Sequence, residues 1–565
     1  MANLSFWLPL SPLNPDHNPL TTVDFEGFVG EQWYPYHESI VSNTPVFALT
    51  THYPVEANGR AIQYVKTNSY FDDFYNRIHI APATLELGNV ASEQVSTVNL
   101  WNAYLTSKVL QSIDGVEEGL SVSGQANPPF TFNALQERAW NVSILPDGPT
   151  TIDTNLVWQF GDDQALLHIT GTRIVAFGWL VDWSKPVTET LQWLTDILQS
   201  KTGHEQRRSL RLSPRIQFDA ELLLYDAERQ FFDIAMVGWG AKNFAMPIWP
   251  QQQWLETTHV TGGMIIYCDT SYRNFKANRL AILRGQTAFD NETVEIESVL
   301  SDRLILKRPL QKSWAKGTCL SPAITVRLNG QPNLLKRTDR MMRTAISLTA
   351  TETLDHTEQM PSTLYRSYPV LEQVPNEKND LTHSYERLLS QLDNKTGLVL
   401  QKDHAQEAFG LYQYDWMTYG RQEQANLRTL FYALRGSQKA LWLPTFSDDL
   451  TVKSIIVASG QTLDVQWCGY SRFAQSHLGR QDIQIRLKNG TVLYRRITSS
   501  TELDSNTERL AVDQTFPVQI LPTDIIRISF MSLCRLSNDS VVIEHLNDSD
   551  GIAKSSATFR GVRES

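Results

Sequence analysis

Lys201, Arg207, Arg208, Arg211 and Arg215, in "KTGHEQRRSLRLSPR", are the densest positive charge on a chain whose formal net charge is −11. Such a cluster makes and breaks no bonds; its chemistry is to steer a partner surface of opposite sign. A solvated face, paired internally with Glu205 and nearby acids, would use the same residues. The acids themselves suggest less. Asp72–Asp73, Asp162–Asp163 and Asp448–Asp449 are adjacent pairs, and neighbours on a strand face opposite sides, so no pair aims two carboxylates at one substrate. "GLSVSG", residues 119–124, approaches a nucleophile elbow but lacks the second glycine where that turn needs it. His79 and His168 fall on strand-like runs, and the other histidines are scattered. Cys268, Cys319, Cys468 and Cys534 form no CxxC pair and no metal spacing; they read as buried thiols of a protein folded in a reducing cytosol. HExxH, P-loop and dinucleotide fingerprints are missing. The expectation is a chain without catalytic centre, metal or cofactor.

The elements that would position these residues come from length and pattern. At 565 residues the chain is too long for one core. The 10% aromatic share suits β-rich cores and large protein interfaces. An acidic balance disfavours nucleic acid, whose affinity comes from neutralised phosphates. No apolar run reaches the roughly 18 residues of a membrane helix. The start, "MANLSFWLPLSPLNPDHNPL", lacks a basic segment and is broken by prolines, so it is not read as a signal peptide.

One phrase occurs twice. "FAMPIWP" (244–250) and "ALWLPTF" (440–446) each set apolar residues around a proline, where a helix cannot continue. Upstream of each stands "KTG", at Lys201–Gly203 and Lys395–Gly397. Between tripeptide and phrase lies an amphipathic segment: Phe232, Ala235, Met236, Trp239 in one copy and Leu427, Leu430, Phe431, Leu434 in the other. Both have the spacing of a helix burying one face, and Gly240 and Gly436 follow as helix ends favour. Downstream, Trp249 is followed by Tyr272 as Phe446 is by Tyr470, with Cys268 and Cys468 just before. Alternating runs such as "TVEIESVLSDRLILKRPL" and "DIQIRLKNGTVLYRRI" close each copy, the second around an Asn-Gly turn. A collinear series of matches at nearly equal spacing means duplication. The markers are Gly203, Pro247, Trp249 and Tyr272 in one copy, and Gly397, Trp442, Pro444, Phe446 and Tyr470 in the other. Pro247 should superpose on Pro444 and Tyr272 on Tyr470, with Met246, Trp249, Trp442 and Phe446 plugging the cores.

The expected fold is therefore mainly β with a few helices: a β-sandwich followed by two duplicated β-rich modules. The divisions are an arm or small unit (1–78), a sandwich (79–182), a first module (183–335), a linker (336–364), a second module (365–545) and a flexible tail (546–565).

Two resemblances sharpen this. Pro82, Leu85, Leu87 and Gly88, then Val98, Leu100 and Asn102, then Pro146, then His168, Thr170 and Gly171 follow the order seen in Hydin-like immunoglobulin domains. That resemblance implies an immunoglobulin-like module that stiffens an assembly. Gly203, Glu205, Gln206 and Arg207, with Trp442, Pro444, Phe446, Asp449 and Leu450, resemble phrases of tail-tip (baseplate) proteins of long non-contractile-tailed bacteriophages. The first copy lacks the Asp-Leu and the second lacks Glu-Gln-Arg, so residues do not carry over symmetrically. This resemblance implies a virion structural protein assembled in the host bacterial cytoplasm, joining the tail tube or distal tail ring to the central hub, beside tape measure and receptor-binding fibres. It also implies six-fold tube rings above a three-fold hub. A homotrimer of chains with two similar modules would join the two, with a hexamer as the alternative. A polysaccharide-degrading tail enzyme and an assembly chaperone lost from the finished particle are the rival functions.

Overall fold

The structure, a computed structural model, describes residues 74–563 apart from 91–92, 146–148, 150, 240–241, 379 and 548–550. The expected arm at 1–78 therefore lies, up to residue 73, outside the described residues. The chain divides into two compact units, one ending at Val175 and one starting at Ala176. Both are mainly β. No helix among the described residues is long and apolar enough to cross a membrane.

Period-two patterning builds the first unit. One sheet runs β1 (Ile78–Ala81), β3 (Gln94–Asn102), β8 (Glu137–Ile144), β6 (Leu120–Ser123). The other runs β2 (Thr84–Val90), β10 (Gln164–Ala176), β9 (Thr151–Gln159), β5 (Ser112–Asp114), with β2 parallel to β10. A short ladder pairs β4 (Lys108–Leu110) with β7 (Phe130–Phe132). Inward residues of both sheets share one core around Trp140 and Trp158, whose rings meet edge to face at 6.1 Å. Arg173 is buried there, its guanidinium donating to the carbonyls of Leu145, Pro149 and Glu118. Buried charge is tolerated when its donors are met in this way.

The second unit contains the duplication. Its first module runs β11 (Val187–Gln192), a hairpin of β12 (Thr195–Gln199) and β13 (Glu205–Ser209), β14 (Arg215–Tyr225), helix α1 (Asp226–Trp239), β15 (Asn243–Pro247), β16 (Gln253–Trp254), β17 (Ile265–Tyr267), β18 (Leu280–Arg284), β19 (Asn291–Val299), β20 (Arg303–Leu306), β21 (Cys319–Leu328), β22 (Asn333–Lys336) and β23 (Met341–Ala350). A small ladder of β24 (Leu364–Tyr365) and β25 (Tyr368–Pro369) leads into the second. That module runs β26 (Thr382–Leu392), β27 (Leu400–Thr418), α2 (Arg421–Leu434), β28 (Leu441–Pro444), β29 (Thr462–Gln466), the short α3 (Tyr470–Phe473), β30 (Asp482–Leu487), β31 (Val492–Asp504), β32 (Thr507–Val512), β33 (Ile525–Leu536), β34 (Ser540–His545) and β35 (Ala553–Gly561).

The ladders of the two modules correspond. β11–β14, β14–β23, β22–β23 and β21–β23 in the first match β26–β27, β27–β35, β34–β35 and β33–β35 in the second. β15–β21, β18–β21, β18–β19, β19–β20 and β17–β20 match β28–β33, β30–β33, β30–β31, β31–β32 and β29–β32. Pro247 opposes Ala323 on β21 as Pro444 opposes Met531 on β33. Both "KTG" tripeptides sit in the turns of equivalent hairpins, where Gln199 faces Glu205 and Leu392 faces Leu400. Met246, Trp249, Trp442 and Phe446 are all buried. Each helix enters from a residue at positive φ, Asp226 (43°) and Gly420 (88°). α2 stops at Arg435 in the left-handed region, whose N–H reaches the Phe431 and Tyr432 carbonyls.

Several boundaries move. The first module extends through β23, because β14 and β21 both need that strand as a ladder partner; residues 336–350 are not linker. The segment 546–565 is not a flexible tail: β35 lies within it, buried between β27 and β34. The sandwich unit ends at Val175, short of 182. Tyr272 and Tyr470 are not equivalent. Tyr272 is 54% exposed at φ 53°, whereas Tyr470 is 2% exposed and opens α3 behind Gly469. The left-handed position of Tyr272 corresponds to Gly469, so the aromatic match was a coincidence of type. Cys268 directly follows β17, while Cys468 stands beyond the end of β29 and exposed. Gly240 lies outside the described residues.

Candidate assembly interface

Where the modules meet, their sheets merge. β11 of the first module pairs on its second side with β34 of the second, from Val187↔His545 to Gln192↔Ser540. The strand order through the junction is β26-β27-β35-β34-β11-β14-β23-β22. This is one four-strand motif used twice.

Behind the junction lies a buried polar triad. Glu189 of β11 receives Arg428 of α2 on both carboxylate oxygens, the Nη1–Oε1 bond at 2.7 Å, and His545 of β34 at 2.9 Å. All three side chains are at most 5% exposed. Burial pushes the Glu189 carboxyl up, but the Arg428 charge and the bonds from His545 and Arg428 outweigh it and hold the pKa at about 2. Burial lowers His545 against the pull of Glu189. Its hydrogen bonds agree with a neutral ring: Nε2–H donates to Glu189, and Nδ1 accepts the Gln424 amide at 2.9 Å. His356, against the Tyr432 ring at 5.3 Å, is lowered to about 4, first by burial and then by Arg428.

Asp539 ties the modules a second time. Its carboxylate accepts from the Thr195 N–H and hydroxyl and from the Ser437 N–H, and its carbonyl accepts from Trp193. Gly436 passes so close that a Cβ would lie 2.8 Å from that of Trp193. The β12–β13 hairpin forms a third tie as it crosses the second module. Glu205 accepts Arg535 through two bonds (2.7 and 2.9 Å) and Arg560 at 2.6 Å, and Arg560 also donates to Glu386. Burial raises Glu205, and the two arginines more than reverse it. Gly203 at the hairpin tip faces the edge of Phe409; a Cβ would stand 2.2 Å from that ring, and φ is 88°. Only glycine fits both demands.

The cation cluster divides. Arg207 is half-buried on the hairpin, lowered chiefly by burial, with Glu205 pulling the other way. Arg211 folds back to the carbonyls of Gln192 and Trp193. Arg208, opposite Asp196 in the ladder, and Arg215 at the foot of β14 are exposed. Among the described residues none of the four holds an ion pair within 4.0 Å. Of the carboxylates that do the binding, Glu205 was named from sequence, as a partner of the cluster and within the tail-tip phrase; Glu189 and Asp539 were not. The one signal was Arg428, a charge set among the apolar positions of α2.

Elsewhere a hollow of about 340 Å³ is lined in part by Lys185, Thr188, Asp219, Glu221 and Ser347. Glu221 is engaged by Lys185 and by Arg343, and both Asp219 oxygens accept the Gln217 amide. Carboxylates so occupied suit structure better than proton transfer. Among the described residues no group of three or more His, Cys, Asp or Glu could hold a metal ion.

The triad sets a pH dependence. His545 and His356 titrate below their ordinary 6.5 when folded, so the unfolded chain takes up protons first. Their contribution is complete above about pH 6.5 and is lost as pH falls below it, toward about 4 for His356. The urea midpoint should therefore fall steadily from pH 7 to 4.5, with a shallower slope in His545→Gln; a midpoint flat across that window would contradict the neutral ring. Comparison with protein-family models and with curated proteins returns no match for this chain.

Proposed function

We propose that the chain is a structural protein of a bacteriophage tail tip, joining the end of the tail tube to the central hub and its receptor-binding apparatus. The observation that carries this reading is the duplicated module whose two copies share one continuous sheet. A chain that repeats one module side by side can occupy two neighbouring places in a ring, because head-to-tail contacts that close generate rings. Three such chains would present six similar surfaces toward a six-fold tube and three identical ones toward a three-fold hub. The tail-tip phrases agree: Gly203 and Glu205 form the inter-module tie, while Trp442, Pro444 and Phe446 fill the second core. In this reading the first unit is an immunoglobulin-like module that stiffens the assembly.

Mass spectrometry of washed, purified particles tests the role. The chain should be recovered in a fixed ratio to the tail-tube protein. Abundance in infected cells with absence from finished particles would instead indicate an assembly chaperone.

A further inference from the structure

Both ends of the eight-strand run are open. Among the described residues β26 has β27 as its one ladder partner, and β22 has β23. Correspondence of the ladders makes β26 the counterpart of β11, and β22 the counterpart of β34. Those counterparts are already paired with each other inside the chain. The burial differs as this predicts: β11 is covered along its length, whereas β26 is exposed at most positions, and Lys336 on β22 is exposed where His545 on β34 is buried.

The helices repeat the contrast. Tyr432 on α2 is buried at the junction, its ring 5.7 Å from Trp193. On α1 the matching position is Val237, 90% exposed, with Ile234 beside it at 72%. The first module thus carries an uncovered copy of the face that, in the second, receives β11.

We infer that β22 and the outer face of α1 receive β26 of a second copy of this chain, in the antiparallel register of the β34–β11 ladder. That register sets Thr382 opposite Leu335 and Leu381 opposite Lys336. Continued by one residue, it brings Asp380 opposite Arg337, an acid against a base. It also completes a diverged triad. Asp233 stands where Arg428 stands, and it pairs with Lys336, which stands where His545 stands, at 3.2 Å. The third place, that of Glu189, falls to His383 on the incoming strand. The hairpin of the second module would follow, as β12–β13 does within the chain. Its tip carries Leu398 fully exposed, and nothing lies within 4 Å of where a Gly397 Cβ would be. Exposed strand edges template such pairing. The contact is head-to-tail, so it closes into a ring or runs on as a filament. The inference deepens the ring reading above, but does not depend on the viral setting.

The test uses the full chain with Cys468→Ser, which removes the exposed native thiol. Opposed residues in antiparallel strands lie within disulfide reach. Thr382→Cys and Leu335→Cys proteins, mixed and oxidised, should give interchain dimers, and the double variant a covalent oligomer. His383→Cys with Leu335→Cys, one residue out of register and on the opposite face, should link about ten-fold more slowly. Val237→Asp should lose the oligomer in native mass spectra while melting as the parent does. No linkage above the slipped control would overturn the inference, whatever the oligomeric state. A ring seen in particles with no such linkage would retain the ring reading and reject this face. Linkage by a chain missing from particles would support this face and reject the tail-tip role.

Discussion

Replacing Trp442 with alanine is expected to destabilise the chain by about 3–5 kcal/mol, the range for emptying a large aromatic from a core. Trp442 is 2% exposed on β28 and packs edge to face on Tyr365 at 5.4 Å, with Met531, Leu533 and Val562 around it. Its indole N–H donates to the Tyr365 carbonyl at 2.8 Å, and its own carbonyl accepts from Leu371. Truncation therefore leaves a cavity and removes the indole bond to the buried Tyr365 carbonyl together. It also loosens the segment around β24 and β25, which keeps the backbone bond from Leu371 to residue 442. Trp442→Phe keeps most of the volume and should fall between. Urea unfolding of the full chain checks this; a soluble Trp442→Ala protein unfolding with the parent midpoint would contradict the plug.

Glu189→Gln should cost a similar amount, about 3–5 kcal/mol, because it leaves the buried Arg428 charge without a counterion. The loss comes from the orphaned partner and not from the value of the pair. Glu189→Leu combined with Arg428→Met removes the orphaned charge and should cost less than the single replacement in equilibrium unfolding, about the 1–3 kcal/mol of leaving the buried His545 Nε2–H without its acceptor. If the double replacement proves as damaging as the single, the triad is worth more than its solvation penalty and this account of the junction is wrong. Either way the variants act where β11 meets β34, so they report how firmly the two modules hold each other.

The fold was legible where side-chain pattern and backbone chemistry agreed. The two helices and the proline phrases were readable because glycine, proline and helical spacing each restrict the backbone, and the repeated "KTG" marked equivalent places in the two copies. β35 was missed because its inward residues include Ala553, Ser555 and Ala557, small or polar groups that make no apolar stripe. Ser555 is buried by donating to the Val542 carbonyl, a partner visible only once strands pair. β23 did alternate, with Met342, Thr344, Ile346 and Leu348 inward, but the polar segment after it drew the module boundary too early. The junction residues were invisible for another reason. Glu189, Arg428 and His545 come from distant parts of the chain, and no local spacing links them. The cation cluster drew notice by composition, yet Glu205 beside it makes the inter-module contact.

The central claim is that one chain supplies two neighbouring places in a closed ring. Symmetry-resolved electron microscopy of the proposed tail tip tests it most directly. The account predicts three chains around the tail axis, their six modules alternating at one radius, with β26 of each chain against β22 of the next. Six chains per ring, or first and second modules at clearly different radii, would contradict it.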